Sequence, residues 1–127
     1  MSEVACLELS IVLWLVHVFL QGGLAQTALS QDYLAGPRDQ TLSPKGLFYP
    51  RATRALGNYV ENFGAFIAAD LGLIVTQHTG GWGATVWILA RIVYIPLYLF
   101  GVKYARTVVW VISIVGLIMM LGRLAGA

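Results

Sequence analysis

Four apolar runs, at about 4–29, 55–75, 82–100 and 107–124, alternate along the chain with stretches rich in Gly, Pro and charged residues. Each approaches or exceeds the roughly 20 residues that carry a helix across about 30 Å of hydrocarbon. An open sheet would leave backbone groups unpaired in lipid, and the alternating pattern of barrel strands about ten residues long is not present. The pattern predicts an all-α membrane protein, a single domain over 1–127 in the form of an up-down four-helix bundle. Its helices fall at about 4–29, 52–75, 82–100 and 106–124. The connection at about 32–50 contains Gly36, Pro37, Pro44, Gly46 and Pro50 and is the one substantial loop. Pro50 suits the start of helix two. Gly80 and Gly81 make the second connection a tight turn, so helices two and three should be antiparallel neighbours. Gly22 and Gly23 in helix one would permit close helix contact.

Composition sharpens this picture. The chain is 58% hydrophobic and 11% charged, whereas a soluble domain carries about a quarter charged residues. No Lys or Arg precedes Arg38, so the first run lacks the basic leader of a secretory signal and is expected to be a retained helix. Arg38, Lys45, Arg51 and Arg54 lie in or beside the first connection, and Lys103 and Arg106 in the third. The second connection has no basic residue, and the C-terminal end has only Arg123. This asymmetry places the first and third connections in the cytoplasm and both termini on the other side. No basic cluster is dense enough for nucleic acid. Cys6 is the single cysteine; it reads as a small apolar filler near a helix end, and no metal site is expected.

Against this apolar background one group of polar residues stands out. Arg54, Asn58 and Glu61 are spaced i, i+4 and i+7 in helix two, and Arg91, Tyr94 and Tyr98 are spaced i, i+3 and i+7 in helix three. Each trio shares one helix face. Counted from the cytoplasmic ends, Glu61 and Arg91 reach similar depths, where ionisable groups cost several kcal/mol unless paired or hydrated. A Glu61–Arg91 ion pair and a polar cavity open to the cytoplasm are therefore expected. Two arginines with amide and phenol donors, joined by Arg106, suit a small anionic ligand that makes many hydrogen bonds. Glu8 reads as a boundary residue reaching water, and His17 as a packing residue. Asp70 lies off the polar face of helix two, towards the opposite leaflet.

Two segments carry a family resemblance. Arg54-Ala55-Leu56-Gly57-Asn58-Tyr59-Val60-Glu61-Asn62, and the later stretch holding Arg91, Tyr94, Tyr98 and Arg106, resemble the membrane-associated proteins in eicosanoid and glutathione metabolism. The motifs span about residues 50–110, and length and helix count agree over the whole chain. The resemblance is to a bacterial-type member, in the inner membrane. It implies a homotrimer that holds glutathione between subunits near the cytoplasmic face, with an apolar small-molecule substrate arriving from membrane lipid. It implies that Arg54, Asn58, Glu61, Arg91, Tyr94 and Tyr98 contact glutathione and that Arg106, with Tyr98, acts on its thiolate. A free thiol has a pKa near 8.5 and needs a neighbouring cation to ionise at neutral pH.

The chain also departs from the family pattern. Gly57 stands where the prostaglandin-forming member has arginine, and the end of helix one offers Gln26, Ser30 and Gln31 where family enzymes present an arginine. Arg106 lies one residue further from Tyr98 than in the leukotriene-forming synthase. Three classes follow. One is a glutathione transferase or peroxidase acting on apolar electrophiles or lipid peroxides; another is a non-catalytic structural or lipid-binding trimer. The third is a small four-helix multidrug transporter using Glu8, which leaves the helix-two motif without a role.

Overall fold

The computed structural model describes residues 1–29 and 46–126, so Ser30, Gln31 and most of the first connection lie outside the described residues. Four helices make up the described chain: α1 (Glu3–Ala28), α2 (Phe48–Val75), α3 (Gly83–Leu99) and α4 (Ala105–Ala125). No strand occurs among the described residues. α1 and α4 are long and apolar enough to cross a membrane. α3 is apolar but shorter, and α2 carries Arg51, Arg54, Glu61 and Asp70 along its length.

Local chemistry sets the helix ends. The Ser2 hydroxyl accepts the Ala5 amide at 3.1 Å, capping α1, whose first turn holds Glu3. Pro50 occupies the third position of α2, within the first turn, where its missing N–H leaves no bond unmade. α3 stops at Leu99, and Arg51 Nη1 donates to the Leu99 carbonyl at 2.9 Å, satisfying an acceptor the helix itself leaves open. Gly101 follows with φ +67°, and Arg51 lies so close over it that a Cβ there would sit 2.9 Å from Nη2. At the opposite end, Glu3 Oε1 accepts the Gly80 amide at 2.9 Å. Arg123 Nε and Nη2 donate to the His78 and Thr79 carbonyls at 2.7 and 2.6 Å. The 76–82 turn is thus tied to the start of α1 and the end of α4.

α2 buries Ala52, Ala55, Tyr59, Asn62, Phe66, Asp70 and Leu73, a stripe at helical spacing. On it rests the core: the Phe66 ring stacks on Trp87 at 4.0 Å, and Tyr59 is surrounded by His17, Phe63 and Trp87. The Tyr59 hydroxyl donates to the Ser10 carbonyl, joining α2 to α1. Cys6 is buried beside Thr85, and Glu8 is exposed. Gly22 and Gly23 have nothing within 4 Å of their Cβ positions among the described residues. The close approach is made by Gly83 and Gly116 instead: a Cβ on Gly116 would fall 2.8 Å from the Gly83 carbonyl oxygen and 2.9 Å from the Trp87 amide. Only hydrogen at both positions lets α3 and α4 pack this tightly. Outward, Phe19, Val75, Ile118 and Leu121 are each more than half exposed, an apolar surface suited to lipid or to another copy.

Candidate functional site

The site grows from the face of α2 that does not enter the core. Arg54 and Glu61 are exposed and Asn58 is half-buried. They sit one position before Ala55, Tyr59 and Asn62 of the buried stripe, so the motif runs along the flank of the helix rather than into the bundle. Asn62 Nδ2 donates to the Asn58 carbonyl at 3.1 Å, a bond within the same turn.

Arg91 on α3 reaches this flank from inside. It is fully buried, and its Nη1 donates to Asn58 Oδ1 at 2.8 Å. Its Cζ lies 4.4 Å from the centroid of the Tyr94 ring and 5.4 Å from that of Tyr59. Nε and Nη2 have no hydrogen-bond partner among the described residues. The expected Glu61–Arg91 ion pair is therefore not formed, and Arg91 takes the amide of Asn58 instead. The physical reason is angular. Residues 58 and 61 differ by about 60° around a helix of 3.6 residues per turn, so matching depth does not bring Glu61 to the same side as Arg91. The two π faces partly replace the missing anion, since ring quadrupoles attract a cation.

From Arg91 the polar chain continues along α3. The Tyr94 and Tyr98 rings are 5.4 Å apart, and Arg106 places its guanidinium 4.8 Å from the Tyr98 ring centroid. Tyr94 is buried, while Tyr98 and Arg106 are half-buried. A cavity of about 200 Å³ opens here, lined by Tyr94, Tyr98, Arg106, Thr107 and Trp110. Arg106 is the second residue of α4, whose N-cap Tyr104 supplies no side-chain hydrogen bond. The positive end of the helix dipole therefore stands open beside the guanidinium, an environment that favours an anion.

The structure thus joins Asn58, Arg91, Tyr94, Tyr98 and Arg106 into one succession of contacts. Arg54 and Glu61 stay outside it, on the exposed flank of α2. No residue of α2 lines the tyrosine–arginine cavity. Thr107 and Trp110 escaped the sequence reading, although Trp110 follows Arg106 by one helical turn. Tyr59 escaped it too, hidden in the apolar stripe of α2. Asp70 is fully buried on that stripe, and neither carboxylate oxygen has a hydrogen-bond partner among the described residues. No group of three or more metal-ligating side chains occurs among the described residues.

Compared with known proteins, the model of the MAPEG family matches residues 6–126, nearly the whole chain. No curated protein and no solved structure matches.

Proposed function

The chain belongs to the MAPEG family, and from that premise we propose a glutathione-dependent transferase or peroxidase of the membrane, acting on apolar electrophiles or lipid peroxides. Members of the family are membrane-associated, generally oligomeric, and generally use glutathione. In this reading all four helices span a bacterial inner membrane in up-down order as one domain. The first and third connections are cytoplasmic and both termini lie on the other side. The protein assembles as a homotrimer, with glutathione between subunits near the cytoplasmic face.

The observation that carries this reading is the outward aim of the helix-two motif. Arg54 and Glu61 are exposed on the flank of α2, with Asn58 half-buried between them, and the Arg106 cavity is lined by α3 and α4 without α2. A neighbouring copy would bring one subunit's α2 flank against the other's Tyr94–Tyr98–Arg106 cavity. Arg54 would then hold a glutathione carboxylate, Glu61 an ammonium, and Asn58 the peptide groups. Arg106, over Tyr98 and at the start of α4, would stabilise the thiolate for attack on an electrophilic carbon or a peroxide oxygen.

Glutathione titrated into the detergent-solubilised protein, followed by native mass spectrometry, tests this directly. The expected species is a trimer that carries glutathione. A monomer that binds glutathione would remove the intersubunit site. A trimer that binds none would support the non-catalytic alternative, which the glycine at position 57 favours by leaving open space where the prostaglandin-forming member has a cation.

Arg91 enters this reading as a positioning residue. Being fully buried, it acts on a surface ligand through Asn58, whose Oδ1 it occupies so that Nδ2 is left to donate. A hydrogen bond to a charged group is worth about 1.5–3 kcal/mol, so Arg91→Met is expected to weaken glutathione binding about tenfold. Folding should survive, because exchanging a buried charge for a packed apolar chain is often neutral or stabilising. Calorimetric titration of Arg91→Met, Asn58→Ala and the double variant checks the route. Acting through one atom pair, the double variant should bind no more weakly than Asn58→Ala alone. Additive losses would mean that Arg91 reaches the ligand by another path.

A further inference from the structure

At the end of the bundle opposite Arg51, a second cavity of about 260 Å³ lies between the start of α1, the 76–82 turn and the end of α4. Its walls include Glu3, Leu73, Trp82, Met119, Met120 and Arg123. It is far larger than the roughly 30 Å³ share of one water, yet below the 300–1,000 Å³ typical of drug-sized ligands. It shares no residue with the Tyr98–Arg106 cavity.

Its charges are arranged unusually. Glu3 is only 3% exposed, and one oxygen accepts the Gly80 amide. No basic side chain pairs with it among the described residues. Arg123 faces the same cavity, held in place through Nε and Nη2 on the turn carbonyls, which leaves Nη1 uncommitted among the described residues. A carboxylate and a guanidinium thus face one small cavity without meeting. The Gly80 amide occupies one Glu3 oxygen, and a cation in the cavity would complete the pairing of the carboxylate.

The remaining walls are apolar and continuous with the lipid-facing surface. Met119 is exposed, and Trp82 at the rim is 70% exposed. Tryptophan concentrates at the level of lipid headgroups, where one edge of the ring meets polar groups and the other hydrocarbon. A ligand for this place needs an ammonium for Glu3, an anionic oxygen for Arg123, and a hydrocarbon part that runs out past Trp82 and Met119. We propose that this cavity binds the headgroup of phosphatidylethanolamine, with its primary ammonium on Glu3 and its phosphate on Arg123. The lipid would lock the start of α1 to the end of α4, independently of any glutathione chemistry.

Native mass spectrometry of the detergent-solubilised protein, titrated in parallel with three phospholipids of identical chains, tests the assignment. Phosphatidylethanolamine should bind about tenfold more tightly than phosphatidylglycerol, which lacks the ammonium. It should also exceed phosphatidylcholine, whose quaternary ammonium has no N–H to donate. Glu3→Gln should erase the preference for phosphatidylethanolamine, and Arg123→Met should weaken both phosphatidylethanolamine and phosphatidylglycerol. Equal binding of the three lipids to the unaltered protein would overturn the proposal and needs no variant to fold. A preference that persists in Glu3→Gln would also overturn it. Glycerophosphoethanolamine, the same headgroup without chains, should compete only at much higher concentration; competition at equal concentration would assign the cavity to a soluble ligand and overturn the lipid reading.

Discussion

Arg106→Ala is expected to lower the rate of glutathione conjugation about 100-fold, the usual cost of removing one preorganised charge-stabilising group from a site of this kind. Affinity for glutathione should fall much less. Arg106 lies over Tyr98 at the open N-terminal end of α4, where it would act on the sulfur. The peptide parts of the ligand would be held by Arg54, Asn58 and Glu61 on the neighbouring subunit's α2. The measurements are the conjugation rate with a small apolar electrophile and the ultraviolet absorbance of bound thiolate. Arg106→Lys keeps the charge but loses the planar contact with Tyr98, so it should retain part of the rate. If Arg106→Ala changes neither rate nor thiolate absorbance, the Tyr98 hydroxyl is the thiolate partner and Tyr98→Phe becomes the informative variant.

The second large effect concerns the fold. Gly116→Val should destabilise the subunit by about 3 kcal/mol or more, at or beyond the upper end of ordinary overpacking costs. The reason lies in which atoms would be struck. A Cβ at position 116 meets the Gly83 carbonyl oxygen and the Trp87 amide at 2.8 and 2.9 Å, and backbone atoms cannot turn aside as a flexible side chain can. α3 and α4 would have to separate, drawing Trp87 away from its stack on Phe66 at the centre of the core. Even Gly116→Ala should destabilise, because its gain in helix propensity, about 1 kcal/mol, is too small to offset the clash. Gly122 on the same helix has nothing within 4 Å of its Cβ position, so Gly122→Ala serves as the control and should match or modestly exceed the parent's stability. Thermal unfolding of the three variants in one detergent decides. If Gly116→Val melts with the parent, the α3–α4 contact is not the close one described.

What the sequence by itself determined was the set of helices and the grouping of polar residues on them. Apolar runs separated by Gly and Pro sufficed for four helices, because in lipid a chain has few other ways to satisfy its backbone. The spacing of Arg54, Asn58 and Glu61, and of Arg91, Tyr94 and Tyr98, sufficed to place each trio on one face, because helical periodicity is fixed. The rotation of each helix in the bundle was decided only by the tertiary structure. In a soluble protein the apolar stripe shows which side is buried. Here lipid is as apolar as the core, so hydrophobicity does not separate inside from outside. The inward stripe of α2 even contains Asn62 and Asp70, while much of its outward surface is apolar. For that reason the partner of Arg91 could not be read from depth alone: a turn of about 60° separates Asn58, which receives it, from Glu61, which does not. The same limit applied to the glycines. Gly22 and Gly23 meet no neighbour among the described residues, whereas Gly83 and Gly116, 33 positions apart in the sequence, meet only because the bundle brings their backbones together.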